Sequence, residues 1–487
     1  RSIGGSSRPP GPRQRSLSED TPRDVRSGNG PRIQPLAPAP RFAEACAVTR
    51  FKPSVAAAVV VANMIGTGVF TSLGFQLLEI RSVPVLLALW AVGGIAALCG
   101  ALSYAELGAA LPRSGGEYHF LTEIYHPIAG FISGWVSATV GFAAPTALAA
   151  MTFGSYLSAV FPQLSAPWLA TGLIVVLAVA HSRNHRSSGS TQSLFTVLKI
   201  LLILGFSALA LLSSGELQET RYQPVAGDAG LLFSGAFAVS LIYVNYAYSG
   251  WNAATYISGE LENPQRSLPT VLVASTSLVC LAYLLLNFVF LAVAPMDAMA
   301  GKVEVGYVAA GYAFGEGGAS AMGVLLALLL ISTVSAMVLA GPRVLQRIGE
   351  DFALFRPLGQ VNRDGIPAIA VLVQAALALT FLWTASFERI LVFSGATMAL
   401  NTFFTVLGVF VLRWRRPQLA RPFRTWLYPL TPLLFLGITG WTLLYIVLQR
   451  PVEATISGAI VVSGALFYLL SRWLGRRVTA AAAAPVP

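Results

Sequence analysis

After residue 52 the chain runs in apolar stretches separated by short polar connections. A hydrocarbon core of roughly 30 Å asks for about 20 apolar residues per helix. Twelve stretches of this kind are read, at 53–78, 84–111, 127–160, 167–180, 191–212, 230–258, 268–293, 319–339, 366–383, 390–412, 428–448 and 454–470, the fourth being short for a span. They predict an all-α polytopic membrane protein with twelve transmembrane helices. Residues 1–50, rich in Pro, Gly, Ser and Arg and without periodicity, read as a disordered basic tail with no signal-peptide h-region. Residues 476–487 read as a second disordered tail.

Two of the stretches carry interruptions. In the first, the run Met64-Ile65-Gly66-Thr67-Gly68-Val69-Phe70 sets two glycines at mid-depth, where glycine costs a helix about 1 kcal/mol against alanine. Taken alone, the run fits close helix packing through small residues equally well. The sixth stretch has a second interruption, Tyr246-Ala247-Tyr248-Ser249-Gly250-Trp251-Asn252, five spans further on. Paired interruptions in two halves point to a transporter site, because unwound backbone exposes N–H and C=O groups to a ligand. An odd repeat of five spans inserts the second copy upside down. Freed N–H groups suit a carboxylate and freed carbonyls an ammonium, so a zwitterion matches both.

Composition agrees with a membrane chain: 55% of residues are hydrophobic and 11% charged, against about a quarter charged in a soluble domain. The net charge of +11 does not require nucleic acid. With the tail placed inside, 26 of the 32 Lys and Arg lie in inner segments and five in outer loops, which predicts both termini on the cytoplasmic side of a plasma or inner membrane. Cys46, Cys99 and Cys280 have no metal or disulfide spacing. No metal and no cofactor is expected, and since no nucleophile or acid–base set shares one depth, neither is an enzyme. A channel's filter or ring-forming residues are likewise not found.

The residues around the interruptions also carry a resemblance. The Ile65–Phe70 run looks like the glycine-rich first-helix signature of the amino acid–polyamine–organocation superfamily. The string from Tyr246 to Pro269, with Tyr104-Ala105-Glu106-Leu107-Gly108 and Ser114-Gly115-Gly116-Glu117-Tyr118, resembles its L-type and cationic amino acid transporter branch. The resemblance covers about residues 50–470. It implies a LeuT-like fold: a ten-helix core at 51–413, built of inverted repeats 51–213 and 229–413, followed by two added helices at 414–475. It implies a secondary transporter of amino acids, working as a permease, antiporter or proton-coupled carrier. Transport of polyamines or other organic cations, or a transport-derived sensor, stays open as an alternative.

By the same resemblance the substrate carboxylate meets backbone N–H groups around Gly66, Thr67 and Gly68, and its amino group meets carbonyls near Ile65 and of Tyr248, Ser249 and Gly250. Tyr246 stands where many relatives carry a gating Phe. Trp251 and Asn252 complete the expected pocket. Heteromeric members of the branch bind a glycoprotein subunit through an outer cysteine between the third and fourth spans; the connection here, 158–166, has none, so no such disulfide-linked subunit is expected.

Lys199 is the one basic residue inside a predicted span, about nine residues, or roughly 13 Å, from the helix start. Snorkelling from that depth is strained. In sodium-coupled relatives of this fold a cation bridges the first and eighth helices, and the resemblance implies that the Lys199 ammonium replaces it, holding carbonyls near Gly66 to Ser332, Thr333 or Ser335. Transport is then sodium-independent. Glu106 is expected to find an inner-loop arginine, Glu117 and Glu260 to cap or to fasten a gate, and the cluster Arg413 to Arg424 to set topology or meet anionic lipid.

Overall fold

The computed structural model describes residues 52–183, 189–213, 218 and 222–482, without the side chains of 189–193, 353 and 475–482. The expected tail 1–50, Cys46, His185, Arg186 and residues 483–487 lie outside the described residues, whereas 476–482, expected to belong to a second disordered tail, continue the last helix, which runs Pro451–Ala482.

The described residues are helical nearly throughout. In chain order the helices are α1 (Pro53–Met64), α2 (Gly68–Glu79), α3 (Val83–Ala110), α4 (Gly116–Ile124), α5 (Pro127–Val136), α6 (Ala143–Val160), α7 (Ala166–Arg183), α8 (Gly189–Ser213), α9 (Asp228–Leu232) and α10 (Gly235–Tyr248). There follow α11 (Pro264–Val293), α12 (Met296–Met299), α13 (Val305–Asp351), α14 (Ala368–Thr384), α15 (Phe387–Arg415), α16 (Leu430–Gln449) and α17 (Pro451–Ala482). A π turn, Ser137–Gly141, joins α5 to α6, and a 3-10 segment, Ala253–Glu260, follows α10. Each of the twelve apolar stretches falls on helical segments. Among the described residues 10 helices, counting broken ones as one, are long and apolar enough to cross a bilayer, and Ala368–Thr384 is a shorter apolar helix.

Proline opens α1, α5 and α11, where its missing N–H is one that a helix start leaves unpaired in any case. α13 has 47 residues, roughly 70 Å if straight. Gly315, at φ +73, breaks its course before the eighth apolar stretch begins.

Charge is concentrated at the helix ends. Glu106, buried in the last turn of α3, takes two hydrogen bonds from Arg413 at 2.8 and 2.7 Å and one from the Thr425 N–H at 2.7 Å. Such neutralisation is what makes a carboxylate tolerable at that depth. At the same end Arg415 reaches the Ile124 carbonyl and Arg416 pairs with Glu123 at 3.3 Å. At the other end, Glu388 binds Tyr243 and Arg450, both at 2.8 Å.

Candidate functional site

The two interruptions lie against each other, and their limbs run antiparallel. Gly68, which starts α2, abuts Ala247 near the end of α10, while Gly250 beyond α10 abuts Asn63 near the end of α1. A Cβ on Gly68 would overlap the Ala247 backbone, and one on Gly250 would come 2.8 Å from the Asn63 carbonyl carbon. Gly250 also holds φ +101, a conformation that only glycine adopts without strain. Gly66 is different, because the nearest atom to a Cβ there is Thr333 Cγ2 at 4.0 Å. Small-residue packing thus accounts for Gly68, whereas Gly66 borders open space.

That space is a cavity of about 290 Å3 lined by both interruptions, the π turn, the Thr333 to Ala340 face of α13, the Ser394 to Thr402 face of α15, and Phe435 and Thr439 of α16. None of its lining residues is charged. The N–H groups of Thr67, Gly68 and Val69 have no partner among the described residues, and neither have the carbonyls of Ile65, Gly66, Tyr248 and Ser249. The Gly250 carbonyl accepts from the Ala253 N–H at 3.0 Å. Freed donors at the start of α2 carry the partial positive charge of its dipole, and the freed carbonyls carry the complementary charge.

Tyr246 closes one side of the cavity, its hydroxyl 3.5 Å from Thr67 Oγ1. Ser249 turns back to the Tyr246 carbonyl at 2.7 Å. Trp251 is wedged between the cavity and α3: its ring meets Tyr104 edge-on at 4.7 Å, and Gly100 leaves room for it. Asn252 also lines the cavity and donates to Glu117.

Lys199 is buried, and its ammonium donates to Thr333 Oγ1 at 3.0 Å and to the Ala62 carbonyl at 3.5 Å. The acceptor on α1 is a consequence of the break. In a continuous helix the Gly66 N–H would serve Ala62, but here it bonds to the Met64 carbonyl at 2.8 Å and leaves Ala62 free. The acceptor is therefore one turn earlier than the expected carbonyls near Gly66. Of the three expected hydroxyls only Thr333 meets Lys199: Ser332 is buried without a side-chain hydrogen bond among the described residues, and Ser335 pairs with His181 at 2.8 Å.

Three features carry little mark in the sequence. Tyr283 of α11 sets its hydroxyl 2.5 Å from the Met64 carbonyl and 3.2 Å from that of Ala247, tying together the ends of α1 and α10. A tyrosine in an otherwise apolar span shows no pattern that would reveal this. The π turn brings Ser137, Val140 and Gly141 to the cavity, and π turns are common at functional positions, but no residue type announces one. Glu117, fully buried at the start of α4, accepts from Tyr104 at 3.0 Å and from Asn252 and Tyr256, with no cation in contact among the described residues. Nearby, Ser114 Oγ accepts the Gly259 N–H at 2.9 Å. The Ser114 to Glu117 run therefore clamps the 3-10 limb at both ends. Among the described residues no group of three His, Cys, Asp or Glu is placed to hold a metal.

Comparison with known proteins places this site in a wider context. The family model described as amino acid permease matches residues 51–470. The b(0,+)-type amino acid transporter 1 of Homo sapiens is 27% identical over 427 residues, which is 85% of each chain. The large neutral amino acids transporter small subunit 2 of Mus musculus is 29% identical over 440 residues, 85% of this chain and 79% of the relative. The Asc-type amino acid transporter 1 of Mus musculus is 28% identical over 435 residues, 86% and 80% respectively.

Proposed function

The chain belongs to the amino acid permease family, and from that premise we propose that it carries amino acids across a membrane as a sodium-independent secondary transporter. The observation that supports this most directly is the pair of interruptions facing each other across one cavity. The α-carboxylate meets the free N–H groups at the start of α2, and the α-ammonium meets the carbonyls of Ile65, Tyr248 and Ser249. Lys199 occupies the place where a sodium ion would join the first and eighth apolar stretches. A fixed ammonium there needs no exchangeable cation, and Thr333, which also lines the cavity, links it to the substrate.

The uncharged wall favours substrates with neutral side chains. A polyamine would bring two or more positive charges into a space with no carboxylate in its lining, and burying unpaired charge is costly. Residues 51–413 form the transport core as two inverted repeats, α16 and α17 are additions, and both termini face the cytoplasm. One relative is by name a small subunit. In this chain Cys99 and Cys280 are buried, so neither offers a thiol to a disulfide-linked partner.

Uptake into proteoliposomes tests the reading. Labelled neutral, cationic and anionic amino acids and putrescine are compared in sodium and in choline buffer, at two pH values. The expected result is saturable uptake of neutral amino acids, equal in both buffers. Putrescine uptake without amino acid uptake, or sodium dependence, overturns it.

Glu117 fastens the 3-10 limb that forms one wall of this path, so we place it at the gate on the arginine-rich side. Replacing its charge with an amide in Glu117→Gln weakens three charge-assisted bonds by about 1.5 kcal/mol in sum, a roughly tenfold change in the closed population. The expected result is an altered turnover with a near-normal melting temperature. An unchanged turnover returns Glu117 to packing alone.

A further inference from the structure

At the arginine-rich end of the bundle, where α15 passes into the loop before α16, a second cavity of about 200 Å3 is lined by Arg413, Pro417, Arg421 and Arg424. Three arginines line this space. Among the described residues the one carboxylate in contact with any of them is Glu106, bound by Arg413 through two hydrogen bonds and 3.6 Å from Arg421 Nε. Arg424 is exposed and has no acidic partner among the described residues. The cavity therefore keeps a surplus of positive charge.

Its walls are also fixed in advance. Arg413 lies over the Tyr428 ring at 3.6 Å, and Arg421 is held by the carbonyls of Leu412, Arg416, Pro417 and Leu419. Arg413 keeps Nη1, and Arg424 keeps all its donors, without a partner among the described residues. Arginine binds phosphate oxygens through such paired N–H groups. Orienting the chain in a membrane needs only charge on one side; it does not need three arginines lining one space beside a single buried counter-ion.

The surroundings indicate where the anion comes from. Trp414 is 80% exposed, Trp426 59% and Leu427 74%, all on the segment that lines or borders the cavity. Tryptophan at a span's end sits at headgroup depth, with its ring toward acyl chains. A soluble anion has no use for an apolar rim, whereas a lipid fills both the charged space and the rim. We propose that this cavity holds the phosphate of an anionic phospholipid, with Arg424 as the adjustable arm and Arg413 and Arg421 as the fixed floor.

Melting temperatures of the full chain in a neutral detergent test the assignment. The chain is titrated with phosphatidylglycerol, phosphatidylcholine and glycerol 3-phosphate, alongside Arg424→Gln and Arg343→Gln, the latter changing an exposed arginine that does not line the cavity. Phosphatidylglycerol is expected to raise the melting temperature saturably, and the two other compounds are not. Arg424→Gln should raise the half-saturating concentration about fivefold, the effect of one arginine near an anionic headgroup, and Arg343→Gln should leave it in place. No response to phosphatidylglycerol, an equal response to phosphatidylcholine, or an unshifted Arg424→Gln titration overturns the lipid site. A response to glycerol 3-phosphate at the same concentrations overturns the lipid as its source.

Discussion

Lys199→Ala is expected to lose most transport, roughly 10- to 100-fold in turnover, while the purified protein still binds substrate. The ammonium is buried and bonded to Thr333 on α13 and to the Ala62 carbonyl on α1. Hydrogen bonds from a charged donor contribute about 1.5–3 kcal/mol each, and every 1.4 kcal/mol is about tenfold in a population. Without the ammonium, the Ala62 carbonyl also loses the partner that replaced its helix bond. Alanine leaves a cavity as well, so Lys199→Met serves as the control, because it keeps most of the stem and removes only the charge. Equal losses in both variants assign the effect to charge. Normal turnover in Lys199→Met assigns it to packing and removes Lys199 from the transport machinery. Sodium-stimulated uptake in Lys199→Ala would mark the vacated place as one that a sodium ion can take.

Gly66→Leu is expected to abolish uptake while the protein stays inserted and folded, with a melting temperature within a few degrees of the parent. The space beyond Gly66 is open as far as Thr333 Cγ2, so a leucine there fills the cavity proposed for the substrate rather than displacing protein. Gly66→Ala should raise the apparent KM and change turnover less. Gly250→Ala should behave in the opposite way. At φ +101 a side chain costs about 1–2 kcal/mol in backbone strain, and the new Cβ meets Asn63, so folding and transport fall together. Uptake, binding and melting temperature measured on the three variants separate the two glycines. Normal kinetics in Gly66→Leu would remove the cavity as the substrate site.

The glycines mark where legibility ends. Both interruptions could be read from the sequence because glycine weakens a helix wherever it stands, and a local property leaves a local trace. Which glycine packs and which borders the cavity could not be read, since that depends on what the other limb brings opposite. The depth of Lys199 could be counted along α8, but its choice of Thr333 over Ser332 and Ser335 could not. Those three hydroxyls lie within one turn of α13 and differ in facing by about 100° per residue, so the rotation of α13 against α8 selects among them.

What the sequence determined by itself was the all-α membrane-spanning class, the places where two spans break, and the family signature around them. These follow from hydrophobicity over about 20 residues and from the backbone freedom of single residues, neither of which depends on packing. The tertiary structure alone decided the pairings: Lys199 with Ala62 and Thr333, Tyr283 with both helix ends, Glu117 with Asn252 and Tyr256, and Glu106 with Arg413. A soluble helix announces its inner face by an apolar stripe, but a span that is apolar all round has no stripe to read. Its orientation is set by the fit of neighbouring helices, and the polar contacts across the bundle follow from that fit.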